Sequence, residues 1–382
     1  MKAIFAHDHC FKLDEHQNFY SNGKITKAMF EIYLDYFDTI KVVARCDSEL
    51  VDYDSEKLIN NDYISFSPFK NLSNPKELLK FSYNKELMKE IIKGFDLVIS
   101  RLPSEIGLLA ISAAKDLGIP YAIEFVACPW DGLWNYGSLQ GRIYAPLYYF
   151  RNRSATMGAD YVTYVTSSFL QKRYPTKGFN SGVSDVILSN TGSSEIKTLD
   201  KVDPIHLALI GSLSSPHKGI DTAIESTKLL NESGIHYILN ILGPGSSSEW
   251  QQKYPETESY VNFCGSLSSG EEVLNWLSNQ DIYIQPSLQE GLPRAMIEAM
   301  SVSLPIIGTA VGGIPELVHE NFLVSKNDSK ALSRKIIMLS NKKVYAEESK
   351  RSLEESKNYN FEMLNTRRKE FWDKVYNDIS TN

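Results

Sequence analysis

The chain has 382 residues, 42% of them hydrophobic and 23% charged, and a formal net charge of −7. This length exceeds one ordinary core and predicts two domains, and the acidic balance excludes nucleic acid as the main partner. No apolar run reaches the length of a membrane span, and Cys10, Cys46, Cys128 and Cys264 show no paired spacing.

The opening "MKAIFAHDHC" lacks the apolar core of a secretory signal, so the chain is expected in the cytoplasm with its thiols reduced. Residues 2–7 read as a first strand, with "HDHC" (7–10) on the loop after it. Strands follow at 39–45 and 95–101. Between them, 70–93 carries six lysines against three glutamates at amphipathic spacing. A helix over 110–118 stops at Gly118, and a strand follows at 120–126. Next comes "GRIYAPLYYFRNR" (141–153), with three arginines, no acid and several aromatics. It reads either as a solvated helix packed on the domain or as a face for anionic lipid headgroups or a lipid-linked phosphate. A strand at 159–166 and a short helix at 167–175 close the first half. Strand and helix in alternation imply a parallel sheet covered on both faces.

Residues 176–203, rich in Gly, Ser, Thr and Asn, are placed as the linker. The pattern then restarts, with strands at 203–213, 236–245, 261–267, 281–287 and 304–309 and helices at 218–234 and 270–280. A last short strand and helix lie within 322–341, and 361–379 is a terminal helix with Phe371, Trp372 and Val375 on its apolar side. The domains are drawn at 1–190 and 191–360, with 361–382 expected to pack back on the first. Residues 1–190 carry a net of −1 and 191–382 a net of −6, so the acidity lies in the second half.

In open parallel sheets, ligands bind beyond the carboxyl ends of the strands. Four strand ends in the second half lead into glycine, hydroxyl or charge: Gly211, Ser212 and Lys218; Gly243 and Gly245; Glu290 and Gly291; Thr309, Gly312 and Gly313. Glycine there would let the backbone approach a ligand. In "LQEGLPRAMIEAM" (288–300), Pro293 suits a first helical turn, and the amides around Gly291, Leu292 and Arg294 would form a positive terminus for a pyrophosphate. Glu290 and Glu298 flank that terminus, and each carboxylate can accept two hydrogen bonds from a vicinal diol. Two ordinary surface glutamates are the simpler alternative.

"EGLPRAMIE", "AVGGIPELV" and an upstream "HKG" resemble the retaining glycosyltransferases of family 4. The resemblance is strong over about 203–320 and weaker in the first half. It implies the GT-B fold, in which two Rossmann-like, doubly wound α/β domains face each other across a cleft. It also implies a nucleotide-diphosphate sugar, UDP- or GDP-linked, as donor, with no metal and no other cofactor. Carried over by position, Glu290 would hold donor sugar hydroxyls, Glu298 the ribose and Lys218 the pyrophosphate. Gly291, Leu292 and Pro293 would line the pocket, and Gly23 would lie on the glycine loop after the first strand.

The sequence departs from the family in two places. The family's second phosphate-clamping arginine is replaced by Ser212, next to Gly211, which leaves Arg294 or another cation to substitute. The histidine expected after 121–126 is missing. Asp131, on a loop with Trp130 and Trp134, is the acceptor-side candidate, although these tryptophans equally suit core packing. The chain is thus expected to transfer sugar to a saccharide, lipid-linked and at the inner membrane face, in O-antigen or capsule assembly. An epimerase or phosphorylase of this fold, or a degenerate binding subunit, is the alternative.

Overall fold

The computed structural model describes residues 1–21, 25–47, 57–78, 80–135, 138–186, 188, 195–199, 204–232, 234–267 and 270–381. Two compact units emerge. One comprises Met1–Trp134, Ser138–Val183 and Arg367–Asn382; the other comprises Asn135–Gly137 and Ser184–Thr366. The first boundary thus falls at 183–184, where 190 was expected. The terminal helix Phe361–Ser380 changes unit at Arg367, where the break was drawn at 361.

The first unit is built on strands β1 (Lys2–Leu13), β2 (Phe19–Tyr20), β3 (Thr39–Asp47), β4 (Ile64–Pro68), β5 (Leu97–Leu102), β6 (Tyr121–Phe125), β7 (Tyr161–Tyr164) and β8 (Phe179–Gly182). Their order is β4-β3-β1-β5-β6-β7-β8, all parallel, with β2 antiparallel to β1. Apolar runs such as Ala3–Ala6 and Leu97–Ile99 are fully buried, as expected for strands covered on both faces. Phe371, Trp372 and Val375 join the cluster of Phe5, Phe30, Tyr33 and Phe37. Two expectations change here. His7, Asp8, His9 and Cys10 lie inside β1, at a register shift against β3, and not on a loop. β8 occupies part of the expected linker, because pairing with β7 makes a strand of a segment without apolar alternation.

The second unit carries β9 (Ile205–Ile210), β10 (Tyr237–Leu242), β11 (Val261–Phe263), β12 (Ile282–Gln285), β13 (Ile306–Thr309) and β14 (Leu323–Val324). The order is β11-β10-β9-β12-β13-β14, all parallel. Counted within the unit this is 3-2-1-4-5-6, the doubly wound order whose switch point lies between its first and fourth strands. β9 and β12 are those strands. The helices Ile220–Asn231, Glu271–Ser278, Arg294–Ser301 and Ser329–Leu339 bury apolar faces against the sheet.

Candidate functional site

The loops after β9 and β12 meet at the switch point of the second unit. After β9 the chain turns through the short 3-10 segment Pro216–Lys218 into Gly219, at φ 69°. A Cβ on Gly219 would stand 1.9 Å from the Pro286 carbonyl oxygen, so only glycine lets the two loops touch. The Leu288 amide then donates to the His217 carbonyl (2.7 Å). Burial pushes the His217 imidazole down from its ordinary range. A third loop, after β13, closes the group. Gly312, at φ 55°, lies where a Cβ would meet the Glu290 carbonyl at 1.9 Å, and the Gly313 amide donates to Gly291 O (2.7 Å). Both glycines let one loop approach another.

Lys218 and Glu290, 72 residues apart, are thereby joined: Nζ donates to Oε1 at 2.7 Å. Gly211 makes room for the lysine stem, since a Cβ there would sit 2.7 Å from Lys218 Cγ. The same Oε1 accepts from Ser287 Oγ (2.8 Å) and Gln285 Nε2 (3.3 Å). Behind it, Tyr283 donates to Gln285 Oε1 (2.5 Å), Gln285 Nε2 donates to Ser287 Oγ (2.7 Å), and Thr309 Oγ1 donates to the Ser287 carbonyl (2.5 Å). Tyr283, Gln285 and Ser287 are all buried. This chain of donors ends on one carboxylate oxygen.

The sequence reading did not single out these three residues. Their signal was present, because polar Tyr283, Gln285 and Ser287 alternate with apolar Ile282, Ile284 and Pro286. That is one polar face of an otherwise buried strand.

Gly291 and Leu292 are partly exposed beside Glu290. Pro293 is not in the first helical turn. It is the extended N-cap (φ −74°, ψ 113°) of the helix Arg294–Ser301, and no side chain caps that helix. The Met296 and Ile297 amides turn back to Pro293 O, which leaves those of Arg294 and Ala295 facing out of the helix start. Glu298 lies one turn after Arg294 and is partly buried. Burial pushes its carboxyl up, and the Arg294 charge opposes that. Arg294 itself is exposed, and Ser212 donates to the Pro244 carbonyl (3.3 Å).

Two candidates lie elsewhere. Gly23 falls outside the described residues. Asp131 belongs to the first unit, on the short helix Pro129–Asn135, and both its oxygens pair with Arg173 Nη1 at 3.2 Å. Trp130 stacks on Trp134 (5.3 Å) and meets Tyr149 edge-on, so it packs while Trp134 stays exposed. Glu124, the acid within β6, is held by Arg101 (2.8 Å) and the Tyr33 hydroxyl (2.6 Å).

Asp8, moved into β1, has a partner set of its own. Its carboxylate accepts from the amides of Glu105 (2.6 Å) and Ile106 (3.1 Å) at the start of the helix Glu105–Leu117. Ser104 Oγ caps the Gly107 amide of the same turn (2.9 Å).

Residues 204–342 match the family model described as glycosyl transferases group 1. Protein CapJ of Staphylococcus aureus is 30% identical, over 99% of this chain and 97% of its own. The putative colanic acid biosynthesis glycosyltransferase WcaL of Escherichia coli K12 is 32% identical over 36% of each chain. Among solved structures, HepE of Anabaena in complex with UDP superposes with a TM-score of 0.65 at 16% identity, over 98% of this chain and 99% of that one. That likeness carries the GT-B fold. With a relative matched along nearly the whole length and the family model on the second unit, the chain belongs to the group 1 glycosyl transferases.

Proposed function

We propose that the chain moves a sugar from a nucleoside diphosphate sugar to a hydroxyl of a saccharide acceptor, with retention at the anomeric carbon and without a metal. The observation that carries this reading is the Lys218–Glu290 pair, seated at the switch point beside a helix start that no side chain caps. Lys218 and the amides of Arg294 and Ala295 receive the diphosphate. Glu290 has Oε1 occupied by three donors, so its Oε2 is the atom turned to the sugar hydroxyls. Glu298 receives the ribose diol, and Gly291, Leu292 and Pro293 line the pocket. Gly211 supports the pocket by seating the Lys218 stem. Ser212, whose hydroxyl donates to the Pro244 carbonyl, and the exposed Arg294 are the further candidates at the phosphates, and Asp131 serves the acceptor side once Arg173 releases it.

In the reaction the bond from the anomeric carbon to the diphosphate oxygen breaks as the acceptor oxygen bonds on the same face. The acceptor proton passes to the leaving diphosphate. Negative charge grows on that leaving group, and Lys218 is the cation placed to meet it. Before the donor arrives, Glu290 keeps the ammonium neutralised, so binding exchanges one anion for another at Nζ.

The UDP in HepE favours a uridine donor, with GDP as the other candidate. The colanic acid role named for WcaL supports an acceptor in surface polysaccharide assembly; that this acceptor is carried on lipid at the inner membrane face is part of the proposal. The test is Lys218→Ala and Glu290→Ala. Each is expected to lower turnover by roughly 10²–10³, the loss seen when one charge-stabilising donor is removed. Both variants should lose some stability but stay folded at the assay temperature, which a thermal melt checks. Near-wild-type transfer by both variants overturns the assignment.

A further inference from the structure

The helix Leu139–Met157 buries Ala145 and Ala155 but leaves an apolar stripe on its outer side. Leu139, Ile143, Leu147, Phe150 and Met157 are 74%, 71%, 54%, 62% and 45% exposed. Their spacing of four, four, three and seven puts them on one stripe of a helix. Two of its three arginines and Tyr144 turn inward. Arg151 pairs with buried Glu105 (2.8 Å), the Tyr144 hydroxyl donates to Glu105 Oε1 (2.5 Å), and Arg153 Nη1 donates to the Arg173 carbonyl (2.6 Å). The sequence suggested a basic, aromatic face here. The structure turns most of those groups in and leaves an apolar edge in water, which soluble monomers rarely tolerate over so long a run.

The helix Glu105–Leu117 packs against both this helix and the lysine-rich helix Phe81–Ile92. A hollow of about 370 Å³ opens between them, lined by Phe81, Leu108, Ile111, Lys115 and Phe150 among others. Phe81, Tyr83 and Leu87 are also exposed. Across 70–93, 105–117 and 139–157 there are ten Lys and Arg against five Asp and Glu, a net of +5 in a chain whose net is −7.

We propose that this face docks in the plane of an anionic lipid bilayer, with the stripe in the acyl boundary and the lysines among the headgroups. Charge selects that occupant. A second copy would bring an equally basic face against this one, and like charges across an interface oppose association. Among the described residues no helix is long and apolar enough to cross a membrane, so the contact is lateral. The hollow, apolar with an ammonium at its edge, suits the chain and phosphate of a single lipid. This inference rests on the reading of the acceptor as lipid-linked and names the surface that would bring the protein to it.

The test uses the full chain with vesicles of phosphatidylcholine alone or mixed with phosphatidylglycerol, read by flotation. The wild type is expected to bind the mixed vesicles and to release as salt rises. Ile143→Glu with Leu147→Glu changes only exposed side chains. It is expected to weaken vesicle binding by about a hundredfold while leaving the thermal midpoint unchanged. Stabilisation by nucleotide sugar, measured on the same preparations, should also be unchanged. Failure of the wild type to bind, equal binding by the double variant, or a wild-type dimer that the variant makes monomeric each overturns the proposal. Vesicle binding without any nucleotide-sugar stabilisation would uphold this surface and sink the donor reading.

Discussion

Ser287→Ala tests whether the strand beneath Glu290 holds that carboxylate in place. The side chain is fully buried, donates to Glu290 Oε1 at 2.8 Å and accepts from Gln285 Nε2 at 2.7 Å. A hydrogen bond to a charged group contributes about 1.5–3 kcal/mol. Lys218 and Gln285 still reach Oε1 in the variant, so the lower end applies, about 1.5–2 kcal/mol. At about 1.36 kcal/mol per factor of ten, transfer should slow by roughly 10–30-fold. Folding should lose less, about 1 kcal/mol, because Gln285 Nε2 keeps its longer bond to Glu290. The assay is kcat/KM for transfer from the nucleotide sugar, in a double-mutant cycle with Glu290→Gln. If Ser287 acts only through Glu290, the double variant is no slower than Glu290→Gln alone, and the coupling equals the whole Ser287 effect. Losses that simply add would refute the argument, as would a single variant with the wild-type rate.

Gly312→Ala should destabilise the protein by at least about 2 kcal/mol and abolish nucleotide-sugar stabilisation, since its Cβ would stand 1.9 Å from the Glu290 carbonyl at a positive φ. Gly234→Ala, also at positive φ but with nothing within 4 Å, should cost only about 1–2 kcal/mol and spare binding; equal effects in thermal melts would show that the loop contact is immaterial. His7 is pushed down to about 3, first by burial and then by the charges of Arg101 and His9. Unfolding therefore takes up a proton below the ordinary histidine pKa of about 6.5, so its contribution is complete above that value and is lost as pH falls towards 3. Thermal midpoints between pH 7.5 and about 5.5 should fall less steeply for His7→Asn than for wild type, by up to about 1.4 kcal/mol per pH unit; parallel curves would rule this out.

The buried strands were legible because their apolar runs are short and bounded by Gly, Pro or polar residues, as at 282–285 and 306–309. Gly118 stops its helix in the left-handed conformation, as its position in the sequence implied. What escaped the sequence depends on distant partners. β8 has the sequence FNSG and is a strand only because β7 offers it a ladder. The helix Glu105–Leu117 starts five residues before the apolar pattern suggested, because Ser104 and Asp8 cap it, and Asp8 comes from 97 residues away. At the site, residue types and spacing marked Lys218, Glu290 and Glu298. That the first two neutralise each other could not be read from either segment. Pro293 was misplaced by one position because proline suits an extended cap as well as a first turn.

The two sheets share one winding order, and this permits a comparison within the chain. In each unit the strand beyond the switch point, β5 or β12, feeds a helix whose first amides lack intrahelical partners. An anion is the natural occupant of such a place. In the first unit the occupant is already supplied: Asp8, from the neighbouring strand β1, puts one oxygen on the Glu105 amide and the other on that of Ile106. Burial pushes this carboxyl up and the two amides pull it back, as expected for a side chain standing where a ligand oxygen could otherwise stand. In the second unit the neighbouring strand β9 leads to a cation, Lys218, and the helix start is capped by Pro293, which has no side-chain acceptor. At one switch point the chain's own anion sits on the helix amides, while at the other the anion, Glu290, sits on Lys218 and leaves the helix start without a side-chain acceptor. The same fold, used twice, thus supports the proposed place of the diphosphate in the second unit, on grounds that do not depend on any relative.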